Sequence, residues 1–262
     1  MSISLKPGLV SVIMPSFNAA HTIQESVFSV LQQSYSDFEL IICDDCSTDN
    51  TTNLINEFDD PRIKVLLNSE NMGAAFTRNR AVSFARGQYL AFLDSDDTWS
   101  KNKLEVQVNH MISSGCPLTY GAYNVIDQSN KVVGRFTPRE KIDFKQLCRT
   151  CEIGCLTVMI NRAALIGDSF RFPSSPKEDY AAWISLIKNK NLEFVKYPGV
   201  LCNYRVGSKS LSSNKFKEIK KQYLVLRNSA ELSMPKALIC LMFYINFGIK
   251  KHLLSYRSKS CS

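Results

Sequence analysis

The stretch YLAFLDSDD, residues 89–97, decides how the chain folds. An unbroken apolar run ends in Asp94, Asp96 and Asp97. Such a run, without period-2 alternation, is the pattern of a strand covered on both faces, as in a parallel sheet. Acids at its carboxyl end stand where an open α/β sheet binds ligands. Upstream the same pattern repeats. LVSVIM (9–14), FELIIC (38–43) and IKVLLN (63–68) read as strands. The segments 21–34, 47–58, 73–85 and 101–113 read as helices; in the first, Ile23, Val27, Val30 and Leu31 fall on one face. This βαβ series predicts an α/β fold with a doubly wound, mainly parallel sheet, its first half ending near residue 115. From about 116 to 212 the pattern is mixed. LTYGAYNVID and KVVGRF form a hairpin, 155–161 a strand, 178–190 a helix and 192–205 an extended segment. A tail over 213–262 holds two basic helices split near Pro235.

The composition is that of a globular protein, 45% hydrophobic and 21% charged over 262 residues. Thirty-two Lys and Arg against 24 Asp and Glu give a net charge of +8, which favours anionic partners such as phosphorylated substrates or acidic lipids. The acids concentrate in the first hundred residues and the cations in the tail, among apolar neighbours. With no recognition motif, nucleic acid is excluded as a partner. The N-terminal segment lacks the pattern of a signal peptide, and nine scattered cysteines suit a reducing compartment better than a disulfide framework. The Cys43/Cys46 and Cys148/Cys151 spacings hint at zinc, but Cys43 closes an apolar strand, where a buried thiol is ordinary.

The residues after each strand carry the chemistry: PSFN (15–18), DDCSTD (44–49), NSENMG (68–73) and DSDD (94–97). Neither GxGxxG nor GxxxxGK[ST] occurs, so no glycine-rich loop cradles a phosphate. Carboxylates at strand ends suit Mg²⁺ or Mn²⁺, which binds one or two of them together with substrate phosphate oxygens. Asp94 and Asp96 can turn toward one such site, with Asp97 as a helix cap or supporting group. Taken alone, DSDD also reads as a solvated acidic turn.

VSVIMPSFN, ELIICDDCSTDNT, NMGAAFTRNRAVSFARGQYLAFLDSDD and KEDYAAW together resemble family 2 glycosyltransferases of the GT-A fold. The likeness runs from about Leu9 to Arg205. Length and basic tail are similar to bacterial O-antigen and capsule sugar transferases. The resemblance implies a UDP-sugar donor, a saccharide acceptor on a polyprenyl diphosphate, Mn²⁺ or Mg²⁺, and inversion. It implies that Pro15, Ser16 and Asn18 shape the nucleotide loop, that Asp45, with Asp44 beside it, bonds the uracil, and that Arg78 lies near base and ribose. Asp94 would serve ribose and donor sugar as well as the metal, and Asp96 would bind the metal. Glu178 and Asp179 match the ED motif, with Asp179 as general base and Trp183 on the acceptor side. It also implies the bacterial cytoplasm, at the inner face of the membrane. One departure is plain: NYRVGSKSLSS lacks the histidine that often follows YR, leaving Arg205 and Lys209 to supply positive charge and the third metal ligand unassigned.

Inversion also follows from the chemistry. One carboxylate base and no second nucleophilic carboxylate give a single displacement. Two rivals stay open on sequence. LDSDDT fits the DxDx[TV] motif of haloacid-dehalogenase-like phosphatases, though it follows the fourth strand rather than the first and the later GDxxxD, begun at Gly167 and Asp168, breaks at Phe172. A non-catalytic nucleotide-sugar-binding module is the other. The apolar part of the tail is shorter than the roughly twenty residues that span a bilayer. It suits either a helix on an anionic membrane surface or one packed on the domain.

Overall fold

The computed structural model describes residues 5–165, 170–190, 192–207 and 215–255. Strand β1 (Lys6–Ser16) runs parallel to β2 (Phe38–Asp44) on one side and to β4 (Gly87–Phe92) on the other, with β3 (Ile63–Leu67) parallel beyond β2. Helices α1 (Ile23–Leu31), α2 (Thr51–Asn56) and α3 (Ala74–Phe84) make the crossovers. Past β4 the sheet continues through β9 (Met159–Asn161), β6 (Leu118–Ile126), β10 (Phe194–Arg205) and β5 (Thr98–Trp99). Strand β9 is antiparallel to both neighbours, whereas β6 and β10 are parallel to each other. Strand β7 (Val132–Phe136) closes the foreseen hairpin on β6, and β8 (Lys141–Ile142) pairs with β10.

The chain leaves β1 toward β2 on one side and returns to β4 on the other. That reversal opens a crevice outside the carboxyl ends of β1 and β4. Both sheet faces are covered, which is why the strands read as unbroken apolar runs. Val10, Val12 and Met14 of β1 pack with Ile23 and Val27 of α1 and with Leu104 and Val108 of α4 (Lys103–Ser114). Ile13, Ile41 and Phe92 pack with Ala81 and Val82 of α3 and with Ile184 of α6 (Glu178–Lys190). The ARG motif has a steric cause. A Cβ on Gly87 would lie 2.6 Å from the Leu9 carbonyl oxygen and 2.7 Å from Ser11 N, so β4 reaches β1 only with glycine there.

Three elements escaped the pattern. Strands β5 and β8 have two residues each, too few for a period. Helix α5 (Phe144–Thr150) is short, but Asp143 and Gln146 form a capping box that announces it. The expected strand over 155–161 is a single helical turn over 155–157 followed by β9. In the tail, α7 (Lys215–Asn228) and α8 (Met234–Ser255) part just before Pro235. Helix α8 packs on α5, α7 and β7 and buries Ala237 and Cys240, while much of its other face is open.

Candidate active site

A cleft of about 440 Å³ occupies the crevice. Pro15, Ser16, Asn18, Asp45, Arg78, Asp94 and Asp96, seven residues read from the sequence as site residues, line it. Two loops form one wall. Asn18, with φ 49°, accepts from Thr48 N at 2.8 Å, and its own N–H donates to the Ser47 hydroxyl at 2.9 Å. Asp45 accepts from Asn68 Nδ2 (2.6 Å) and Met72 N (2.9 Å) on one oxygen and from Gly73 N (2.8 Å) on the other. Burial raises its pKa, but these bonds outweigh that and hold it below the usual aspartate value. The oxygen with one donor keeps a lone pair for an imide N–H.

Asp44 needs correcting. Its carboxylate accepts from Ser47 N (2.8 Å) and Ser47 Oγ (2.6 Å), and it is buried outside the cleft. Successive residues of a strand point to opposite faces, so Asp44 and Asp45 do not share a ligand. Asp44 shapes the turn that presents Asp45.

Arg78 is also placed differently from expectation. Its guanidinium bridges Asp94 and Glu178, at 2.5 Å each, and is 6% exposed. It lies 5.5 Å from the Phe172 ring, and Asn79 clamps the Phe172 backbone through N–H and C=O. Burial lowers its pKa, but Asp94 and Glu178 more than offset this, so it stays charged. The arginine lines the cleft and also joins the DSDD turn to the ED helix.

In the DSDD turn, Asp97 N donates to the Asp94 carbonyl at 3.1 Å. Asp96 projects to the open mouth of the cleft. Enclosure by the surrounding protein, then the neighbouring Asp94 charge, push its pKa up to about 6. Asp97 is buried, accepts from Arg205 N at 2.8 Å, and is pushed well above the usual range, by burial first and then by Asp96 and Asp94.

Arg205, expected on a mobile loop, is tied into the fold as a brace. Its Nε donates to the Asp96 carbonyl (2.8 Å), Nη1 to Asn130 Oδ1 (2.6 Å) and the Asp127 carbonyl (3.2 Å), and Nη2 to Glu25 (2.7 Å). Lys209, Gly167 and Asp168 lie outside the described residues.

Asp179 begins α6 half-buried, and Oδ1 accepts from Tyr180 N at 2.7 Å. Burial raises its pKa; Arg78 counters this and Glu178 adds to it, for a net rise. Trp183, expected on the acceptor side, does not line the cleft. It is fully buried, stacked on Phe170 at 6.0 Å and wedged among Phe92, Phe172 and Phe194. It is the floor beneath the ED turn. Asn68 and Glu25 went unread: Asn68 joins Asp45 to Thr77, and Glu25 holds Arg205.

For a divalent cation, Asp96 and the Asp94 oxygen not bound to Arg78 are the donors the cleft offers. No group of three or more His, Cys, Asp or Glu side chains fit to hold a metal occurs among the described residues. Two carboxylates with diphosphate oxygens suit Mg²⁺ or Mn²⁺.

The glycosyl transferase family 2 model matches residues 11–169, more than half the chain. The chain belongs to this family. WfgD of Escherichia coli, a UDP-Glc:α-D-GlcNAc-diphosphoundecaprenol β-1,3-glucosyltransferase, is 45% identical over 95% of this glycosyltransferase and 97% of its own length. In fold it is similar to Staphylococcus aureus TarS 1–349 in complex with UDP (TM-score 0.64, 20% identity, 95% of this chain, 73% of TarS). It is likewise similar to the Pyrobaculum calidifontis mannosyltransferase PcManGT in complex with GDP-Man and Mn²⁺ (TM-score 0.64, 19% identity, 89% and 68%). The mixed sheet, with a parallel β3-β2-β1-β4 half, is therefore a GT-A fold, and the phosphatase reading of LDSDDT falls.

Proposed function

We propose that this glycosyltransferase moves glucose from UDP-glucose to a saccharide on a polyprenyl diphosphate, with inversion, during assembly of a bacterial surface polysaccharide. The observation that carries this is the 45% identity with WfgD across nearly the whole of both chains. A donor with an α-linked sugar and a β-linked product make an inverting transfer. We place the nucleotide half at about 1–115, the acceptor half at about 116–212 and a helical tail at 213–262. A lipid-held acceptor supports a reaction at the membrane surface, which we assign to the cytoplasmic face. Among the described residues no helix is long and apolar enough to cross it.

The geometry supports the following roles on this reading. Asp45 accepts the uracil N–H with its less occupied oxygen, and Asn18 fixes the loop against the base. Asp96 and Asp94 hold Mn²⁺ or Mg²⁺, which when bound neutralises charge building on the departing diphosphate. Asp179 takes the proton from the acceptor hydroxyl as that oxygen bonds to the anomeric carbon and UDP leaves. Its raised pKa gives it the proton affinity for this. Glu178 is neutralised by Arg78 and fixes where the turn stands.

A panel of UDP- and GDP-sugars, offered with a short-chain N-acetylglucosaminyl lipid diphosphate and Mn²⁺, Mg²⁺ or chelator, tests the reading. UDP-glucose should give a β-linked disaccharide, lost with chelator. Asp179→Asn should slow transfer about 10²–10⁴-fold with little change in donor KM. Transfer unchanged in that variant would remove Asp179 as base.

A further inference from the structure

Helix α8 shows two faces. Ala237 and Cys240 are buried and Leu241, Tyr244 and Phe247 half-buried against the domain. The opposite side presents Leu238, Ile239, Met242 and Ile245 at turn-by-turn spacing, and Met242 is 67% exposed. No Asp or Glu occurs anywhere from Met234 to Ser255, while exposed Lys236 stands at its start.

Beside this stripe lies a second cavity, about 600 Å³, between α5 and α8, with Arg139 and Arg149 in its wall. Arg139 pairs with Glu152 at 3.0 Å, and no acid lines the cavity among the described residues. The Arg149 guanidinium lies 4.4 Å from the Phe243 ring centroid, and its buried Nε has no hydrogen-bond acceptor among the described residues. A cation with an unmet donor, at the rim of an apolar stripe on an acid-free helix, fits the boundary between phosphates and acyl chains. A protein partner would need acids to meet these cations and would leave the stripe's aliphatic side chains no acyl layer to enter.

We propose that the α5–α8 face docks on an anionic bilayer, with the phosphate of one anionic phospholipid in the Arg139–Arg149 cavity and the α8 stripe among its acyl chains. This deepens the lipid-acceptor reading above, on which its purpose rests. The same helix is tied to the ED motif. Lys177, with φ 54° and two residues ahead of Asp179, donates to Tyr244 Oη (2.9 Å) and to Gln222 Oε1 (3.1 Å). A seated α8 thus holds the proposed base beside the surface that carries the acceptor.

Vesicle flotation of the full chain tests this, with phosphatidylcholine alone or with about one third phosphatidylglycerol. The chain should float with the anionic vesicles and stay behind with the neutral ones. Arg149→Gln should weaken partitioning about fivefold, the effect of one cation near an anionic surface. The exposed-site variant Ile239→Gln/Met242→Gln should weaken it at least as much. Lys64→Gln, an exposed cation on the strand at the far edge of the sheet, should leave it unchanged. Equal binding to both vesicle types, or equal effects of Arg149→Gln and Lys64→Gln, would overturn the proposal. So would flotation with neutral vesicles only when they carry a polyprenyl diphosphate, which would give the cavity to the acceptor. A dimer abolished by the stripe variants would give the face to a second copy. Transfer to a short-chain acceptor in detergent separates the two readings: its absence in the unmodified chain sinks the proposed function and leaves docking standing.

Discussion

Replacing Arg205 by lysine separates a brace from a ligand contact. The guanidinium makes four side-chain hydrogen bonds, to residues 25, 96, 127 and 130. A lysine keeps the charge but has one nitrogen, so it retains the Glu25 pair and at most one other partner. A hydrogen bond from a charged group contributes about 1.5–3 kcal/mol. The pair with half-exposed Glu25 is partly screened, and water reaches the Asn130 turn, so a net loss of about 3 kcal/mol is reasonable. At roughly 2–4 °C per kcal/mol for a chain of this size, the melting temperature should fall by about 6–12 °C. The Asp96 carbonyl loses its anchor, so metal-dependent turnover should fall several-fold more than donor affinity measured without metal. Thermal unfolding and titration of UDP with and without Mn²⁺ read both effects. A melting point within about 1 °C of the parent, with weaker UDP binding, would refute the reasoning and return Arg205 to the diphosphate.

Three further outcomes follow from the same geometry. Asp96→Asn should abolish metal-dependent transfer yet raise the melting temperature at pH 7.5. A carboxyl group raised to about 6 when folded binds more protons folded than unfolded between its unfolded value and 6, so its ionisation costs stability as pH rises through that window; the gain should vanish near pH 4, and in the parent enzyme transfer should decline below about pH 6, less so at higher Mn²⁺. Trp183→Phe should keep near-parental acceptor KM and lose about 1–3 kcal/mol by denaturant unfolding, because it shrinks a packed aromatic core, a loss partly offset by removing a buried indole N–H that has no acceptor among the described residues; a large rise in acceptor KM at unchanged stability would restore the acceptor role. Gly73→Ala, at φ 83° and ψ 164°, should cost about 1–3 kcal/mol from backbone strain and weaken UDP binding, since its N–H holds Asp45; donor affinity and stability unchanged would show the loop indifferent to that conformation.

The fold was legible where a physical rule leaves a repeating trace. Burial on both faces makes β1, β2 and β4 continuous apolar runs, and the acids at their ends fall at the sheet's switch point. The two-residue strands leave no such trace. At the site, sequence shows which side chains are present but not their depth. Asp179 and Trp183 sit four apart on one helical face, yet one lies half-buried at the turn and the other among four aromatic rings. Arg205 reads as a free cation because its partners come from three separated stretches, at Glu25, Asp96 and the 127–130 turn. The Asp44–Asp45 pair parts where β2 ends: Asp44 closes the strand and bonds Ser47, and Asp45 follows it into the cleft.

Arg78 shows why the DSDD and ED motifs occur together. A guanidinium this deeply buried is tolerable only with its charge matched, and it is matched twice, by Asp94 after β4 and by Glu178 at the start of α6. Removing either carboxylate leaves an under-compensated buried cation, a loss on the scale of about 3–5 kcal/mol for a broken buried pair. The bridge also divides labour within the ED pair. Glu178 is tied to the Arg78 guanidinium at 2.5 Å. Asp179 is desolvated and neighbours a second carboxylate, and its pKa rises although Arg78 and the Tyr180 N–H oppose the rise. On the proposed reading, the acceptor's proton therefore goes to the second residue of the motif, and the first determines where that residue stands.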